Sequence, residues 1–278
     1  MTITVLLGLA SAVCWGAPDL WLAQASRRLG PFPVVFGSIL VGLVATAPLA
    51  FVVALPDECT LRGVLLAVCL GPVSVLAYMA GFLAFSRGGA VSVVAPIIAC
   101  EGGLAALFAI AGGERLSGLV AVFLPFAVVG VVLAAMGKGG GRAAVGPAIT
   151  CAVMWGGILA LSAPGAEDIG AYWFFLLQRL SALACIVPFA LRTGAAGRWL
   201  ADRWRVVAWG LGDSFAFLLF VYAADRGPVA VASVLVAQFA TVAVLVGVLF
   251  GGERLLPRQI GGVALVIAAV TGMAAASA

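Results

Sequence analysis

The sequence predicts an all-α membrane protein of ten transmembrane helices, arranged as two inverted five-helix repeats. Three observations carry that prediction. Apolar residues make up 64% of the 278 and charged residues only 9%, where a soluble domain carries roughly a quarter charged. The apolar residues gather into ten segments, each near the roughly 20 residues needed to cross lipid as a helix that satisfies its own peptide groups. The second half of the chain also repeats landmarks of the first.

Reading from charge to charge and from Gly/Pro break to break places the first five segments near 5–25, 32–54, 63–85, 90–112 and 116–136, and the second five near 145–163, 170–191, 206–224, 228–250 and 259–277. No basic stretch precedes the first segment and its length suits a span, so it reads as a helix and not as a cleaved signal peptide. Prolines fall inside spans at Pro18, Pro48, Pro72, Pro96, Pro125 and Pro188, where kinks are tolerated if protein or a watery cavity covers the freed carbonyls. Between the two sets, Lys138-Gly-Gly-Gly-Arg142 reads as a flexible linker. The domain division is therefore residues 1–137 for the first repeat, 138–144 for the glycine-rich linker and 145–278 for the second repeat.

At a shift of 139 or 140 residues, Trp15-Gly16 falls on Trp155-Gly156, Pro48 on Pro188, Gly71 on Gly210 and Arg87-Gly88 on Arg226-Gly227. Gly112-Gly113-Glu114-Arg115-Leu116 returns intact as Gly251-Gly252-Glu253-Arg254-Leu255. Repetition of a whole half-molecule is the signature of transporter architecture, and an odd number of spans per repeat inverts one copy against the other. Such an arrangement puts the solute site at the repeat interface near the bilayer midplane. The GGERL pair itself reads as structural: two glycines end a helix, and Glu-Arg holds the turn in the interface. Small residues such as Gly102, Gly103, Gly210, Gly212, Gly261 and Gly262 let helices approach closely in lipid.

The chain has no histidine, which excludes histidine metal sites, serine–histidine hydrolysis and histidine proton relays. Cys14, Cys69, Cys100, Cys151 and Cys185 lie in apolar segments and Cys59 in a connection, without CxxC spacing; they read as packing residues, neither disulfides nor ligands. No metal or cofactor is expected. The net charge of +4 is scattered in ones and twos and builds no face for nucleic acid. The expected partners are a small-molecule solute and the lipid bilayer.

The Trp-Gly of each first helix, the Arg-Gly opening each fourth helix, and the GERL turns at 113–116 and 252–255 together resemble the drug/metabolite transporter superfamily, in particular its ten-helix members built from two EamA-type repeats. The resemblance covers nearly the whole chain. It implies alternating-access movement of a small metabolite or drug-like solute across the cell membrane, often as export and often coupled to an ion gradient. The chain departs from the family in carrying Glu101 and Ala240 where a proline commonly kinks the fourth helix of a repeat. An arginine common in the second helix is matched by Arg179, whereas the first repeat has Ile39 there.

Trp15, Trp155, Tyr78 and Tyr222 are aromatic residues in mid-span, suited either to contacting an amphipathic solute or to packing between helices. Glu101, Arg179 and Asp213 are the mid-span charges. Each costs about 2.5–3.5 kcal/mol at a helix centre on insertion scales and so needs protein or water around it. The expectation is that they meet in a central cavity, Arg179 held by one carboxylate and the other acid, Glu101 or Asp213, left for a cation or a proton. The competing reading is a static ion pair that fixes helix register. Asp19 reads as closer to the membrane interface.

The arginines and lysine of the odd-numbered connections (Arg27, Arg28, Arg87, Lys138, Arg142, Arg192, Arg198, Arg203, Arg205, Arg254, Arg258) far outnumber Arg62, Arg115 and Arg226 of the even ones. By the positive-inside rule both termini are then outside; the resemblance implies the reverse. A membrane enzyme acting on a lipid-linked substrate is the alternative function. It needs a cluster of acids, a metal or an activated nucleophile at the interface, which these short connections largely lack. A scaffold or receptor would carry larger polar domains.

Overall fold

The structure is a computed structural model that describes residues 2–56, 59–115, 118–135, 142–252 and 256–276. Among them every regular element is helical. Eight stretches are long and apolar enough to cross a membrane: the first span Ile3–Leu29, the second Pro31–Phe51, the third Leu61–Ser86, the fourth Val91–Ala111, the sixth Ala143–Ile169, the seventh Ala171–Arg192, the eighth Ala195–Asp225 and the ninth Val229–Gly251. The fifth helix, Gly118–Ala135, and the tenth, Pro257–Ala276, complete five per half. Most of the expected linker, together with Leu116 and Glu253-Arg254-Leu255 of the GGERL pair, lies outside the described residues.

Two boundaries differ from the sequence reading by more than four residues. The sixth helix runs through Pro164 and the acidic Glu167-Asp168 to Ile169, ending where Gly170 adopts φ 81°, a backbone conformation open to glycine. The eighth span begins earlier than expected, at the short helix Ala195–Arg198 and a 3₁₀ turn, Trp199–Asp202; Arg198 with the following Arg203 and Arg205 disguises this stretch as a connection.

Three spans are broken in mid-membrane. The first divides into Thr2–Gly16 and Asp19–Leu29 around Ala17-Pro18. The fourth divides into Val91–Ile98 and Cys100–Ala111 at Ala99, and the ninth into Val229–Val236 and Phe239–Gly251 at Ala237-Gln238. The fourth and ninth thus break although Glu101 and Ala240 stand where the family often has proline. In the ninth a side chain takes over: Gln238 Nε2 donates to the Val234 carbonyl at 3.1 Å, and the turn tightens through Ala240 N–H to the Ala237 carbonyl at 3.3 Å.

The repeats interleave. The third span packs on the sixth and seventh, and its counterpart, the eighth, packs on the first and second; the fourth meets the sixth as the ninth meets the first, and the fifth lies along the tenth. The repeated landmarks sit at these crossings. A Cβ at Gly16 would run into the Phe239 carbonyl and Val242 of the ninth span; one at Gly156 would lie 2.8 Å from Leu104 Cβ of the fourth. Gly71 and Gly210 do the same where the third span crosses the seventh and the eighth crosses the second, against Gln178 and Ser38, residues that are themselves a repeat pair. In lipid, close packing of this kind is what holds helices together. The acid of GGERL does more than hold an interfacial turn: Glu114 Oε2 and Oε1 accept the Val229 and Ala230 N–H groups at 3.1 and 3.2 Å, so a first-repeat side chain caps a second-repeat half-helix.

Adjacent glycines give a direct check. Gly156→Ala forces the fourth span away and should lower stability by about 1–3 kcal/mol, the usual cost of overpacking. Gly157→Ala, with nothing within 4 Å of its Cβ, should be neutral or stabilising by up to about 1 kcal/mol through helix propensity. Thermal unfolding of the two variants in detergent reads the difference; equal midpoints would disprove the crossing.

Candidate solute site

The repeat-equivalent tryptophans meet at the centre. Trp15 and Trp155 stand edge to face with centroids 5.7 Å apart. Tyr78 lies 5.0 Å from Trp155, and its repeat equivalent, Phe217, stacks 6.5 Å from Trp15. These four rings mark the pseudo-two-fold axis.

On one side of the axis the rings are tied to a buried ion pair. Arg179 Nη2 and Asp213 Oδ2 are 2.9 Å apart, both fully enclosed. The Tyr78 hydroxyl donates to Asp213 Oδ1 at 2.7 Å and accepts from Arg179 Nη1 at 2.9 Å, while Trp15 Nε1 donates to the same Oδ1 at 2.8 Å. The guanidinium also lies 5.3–5.6 Å from the ring centres of Tyr78, Phe175 and Phe217. The first, third, seventh and eighth spans converge on this one carboxylate.

On the other side the same rings face a cavity of about 450 Å³, whose clear core of about 50 Å³ is room for only a few waters. Tyr78, Trp15, Trp155 and Trp209 form an aromatic wall, and Asp19 and Glu101 supply its acids; no lysine or arginine is among the lining residues. Both acids occupy the first turn of a broken half-helix, Asp19–Leu29 and Cys100–Ala111, where aligned peptide dipoles favour negative charge. Asp19 accepts from Trp209 Nε1 at 3.2 Å. Glu101 is 3% exposed and no hydrogen bond or ion pair to it is found among the described residues. From the axis the lining runs to Leu22 and Phe85 and back to Cys151 and Trp209, the ends of their spans that meet the odd, arginine-bearing connections. At that mouth Arg27 donates to the carbonyls of Phe85 at 3.3 Å and Gly89 at 2.7 Å.

The sequence matches the EamA-like transporter family twice, over residues 2–136 and again over 143–275. The chain belongs to that family. The EamA-like fold is also that of a solved structure described only as "Crystal structure of protein", 22% identical, with a TM-score of 0.71 and covering 97% of this chain and 94% of its own. A comparison with curated proteins finds no match.

In this EamA-like chain the expected site residues divide between the cavity and the buried ion pair. Trp15, Trp155, Tyr78 and Glu101 line the cavity. Arg179 and Asp213 pair with each other behind the Trp15 and Tyr78 rings, so Glu101 is the acid left over. Tyr222 departs from the expectation: it is half-buried with Arg226 5.1 Å over its ring and is not a lining residue. At the repeat shift the counterpart of Tyr78 is Phe217, whereas Tyr222 corresponds to Leu83. Asp19 is 5% exposed, at the start of the half-helix that follows the break at Ala17-Pro18. Trp209 and Cys151 are lining residues that the sequence reading passed over. Trp209, an aromatic beside a repeated glycine, carried a usable signal; Cys151 carried none.

The two kinds of acid should separate in stability. Asp213→Asn leaves Arg179 buried without its counter-charge and should cost about 3–5 kcal/mol. Glu101→Gln removes an acid with no partner and should leave the unfolding midpoint unchanged or raised. Thermal denaturation in detergent distinguishes them, and the assignment of roles is wrong if Glu101→Gln is the more damaging change.

Proposed function

We propose that this membrane transporter moves a small organic cation with an aromatic or alkyl body by alternating access, exchanging it for a proton carried on Glu101. The observation that supports this reading is a buried, unpartnered carboxylate, with Asp19 as a second acid, in an aromatic cavity lined by no basic side chain. A charge in such a setting demands compensation, and either a proton or a cation supplies it. Desolvated rings attract a cation by about 2 kcal/mol or more each in favourable cases, so Trp15, Trp155, Tyr78 and Trp209 add affinity for an organic cation that an inorganic ion would use less well. Binding of the cation and binding of the proton are then mutually exclusive at Glu101, which couples their movements.

The charges of the connections favour one direction. Arginines crowd the odd connections, toward which the cavity extends, and the acids Asp57, Glu58, Glu114, Glu167, Asp168 and Asp225 lie on the even ones. With the odd face in the cytoplasm, the cation is taken up from inside and released among acids outside, with the proton returning, and the chain works as an exporter in the cell membrane with both termini outside.

Flux of benzyltrimethylammonium in proteoliposomes tests the chemistry. Wild-type uptake should depend on an imposed pH gradient, and Glu101→Gln should lower it at least tenfold and abolish the pH dependence. Unchanged rate and pH response in a normally folded Glu101→Gln protein would reject the proposal. For orientation, a C-terminal reporter active only in the cytoplasm should stay silent; a signal reverses the direction assigned here.

A further inference from the structure

Away from the solute cavity, and sharing no lining residue with it, a groove of about 630 Å³ runs between the fourth and sixth spans. That is within the range of roughly 300–1,000 Å³ in which proteins hold small organic ligands. Each helix gives one stripe of wall. The sixth contributes Gly157, Ala160, Leu161 and Pro164, spaced three and four apart as on a single helical face; the fourth contributes Phe108, Ala109 and Gly112. Small residues hollow the groove. A Cβ on Gly157 would meet nothing within 4 Å, although its neighbour Gly156 is packed against Leu104. Leu161 and Phe108 are 43% and 46% exposed, so the flank lies open to the bilayer. The end toward the even connections is polar, lined by Arg62 and Glu114. Arg62 is exposed, its ion-pair neighbour Asp168 stands 3.8 Å away, beyond hydrogen-bond reach, and no hydrogen bond from it is found among the described residues. Both Glu114 oxygens accept the Val229 and Ala230 N–H groups, and each keeps a further lone pair. Pro164 lacks the N–H that an α-helix would give to the Ala160 carbonyl, and both residues line the groove.

We infer that this groove is a binding site for a phospholipid with an ethanolamine headgroup, drawn from the leaflet on the even side. The phosphate sits on Arg62, the ammonium is shared by Glu114 and the Ala160 carbonyl, and one acyl chain lies between Phe108 and Leu161. The charges at the polar end select this headgroup. A guanidinium pairs with phosphate through two parallel N–H bonds, and an acid beside it calls for a cation on the same ligand. Ethanolamine supplies that cation with three N–H donors. Choline carries the charge but has no N–H to give a carboxylate or a carbonyl. A glycerol headgroup has no positive charge, so its phosphate would meet Glu114 uncompensated. The acyl chain fills the hollow left by Gly157 and Ala160, where close contact replaces the packing that holds helices together in lipid. The lipid also braces the helix pair that carries Glu101, whose carbonyl lies 3.3 Å from the Cβ position of Gly156. The assignment does not depend on which solute the cavity takes.

Lipid titration of the intact, delipidated protein in an uncharged detergent, read by native mass spectrometry, tests the site. The probes are phosphatidylethanolamine, phosphatidylcholine and phosphatidylglycerol with identical acyl chains. One molecule of the ethanolamine lipid should bind about tenfold or more tighter than either of the others, the ratio that a charge-assisted hydrogen bond gives. Arg62→Gln, at an exposed position, should remove most of that preference without moving the unfolding midpoint measured in the absence of lipid. Gly157→Leu, which fills the groove, should weaken binding of the ethanolamine lipid by about tenfold or more, through loss of the space for its chain. Equal affinity for the three lipids overturns the site, as does an ethanolamine preference that survives both substitutions. A preference for phosphatidylglycerol removes the role given to Glu114 and overturns the assignment with it. Should Gly157→Leu not fold, Arg62→Gln decides alone: an undiminished ethanolamine preference in that protein rejects the site.

Discussion

Three donors from three different spans converge on the carboxylate of Asp213, and much of the core is arranged around that convergence. Lipid cannot stabilise a charge, so Asp213 and Arg179 exist in mid-membrane only because each satisfies the other. Their pairing alone would fix two helices of the second repeat. By also taking the Tyr78 hydroxyl and the Trp15 indole N–H, Asp213 holds two first-repeat rings at the angle at which they meet Trp155. The aromatic axis is thus anchored from one side by hydrogen bonds and is free on the other to face a cavity.

The broken helices belong to the same economy of polar groups. Backbone that leaves the helical pattern in the bilayer must be covered by protein or face a cavity. Here the breaks at Ala17-Pro18, Ala99 and Ala237-Gln238 lie beside the cavity wall, and two of them start new half-helices with Asp19 and Glu101 in the first turn. The break supplies two things together: a bend that turns the acid inward, and a helix terminus whose dipole tolerates its charge.

The sequence was most legible where lipid imposes a simple rule. Span number follows from segment length, and the repeat from identities such as GGERL. Within the site, the reasoning reached Trp15, Trp155, Tyr78 and Glu101 because a polar or aromatic group in mid-span is costly or conspicuous on its own. It failed where position depends on another element. Tyr222 shares with Tyr78 only its residue type and a mid-span place in the sequence, whereas the repeat shift matches Tyr78 to Phe217. The bend of the ninth span comes from a glutamine amide, a residue with no general reputation as a helix breaker. The cap that Glu114 gives to Val229 and Ala230 joins groups 115 and 116 residues apart, and no local pattern announces it. The value of the Trp-Gly dipeptide was visible as a repeat, but its cause, the passage of another span's backbone at Gly16 and Gly156, exists only in three dimensions.

The helix crossings correspond between the repeats and the charges do not, and that contrast bears on function. At corresponding positions the first repeat carries Asp19 and Glu101 against Leu159 and Ala240, while the second carries Arg179 and Asp213 against Ile39 and Ser74. Symmetric packing gives two states of comparable geometry, which alternating access requires. The acids without an ion-pair partner, Asp19 and Glu101, are confined to the first repeat, and the second repeat's buried acid, Asp213, is neutralised by Arg179. A ligand shifts an equilibrium only by its differential affinity for the two states. Any such difference in this chain would have to come from these few side chains, since the helix crossings correspond between the repeats.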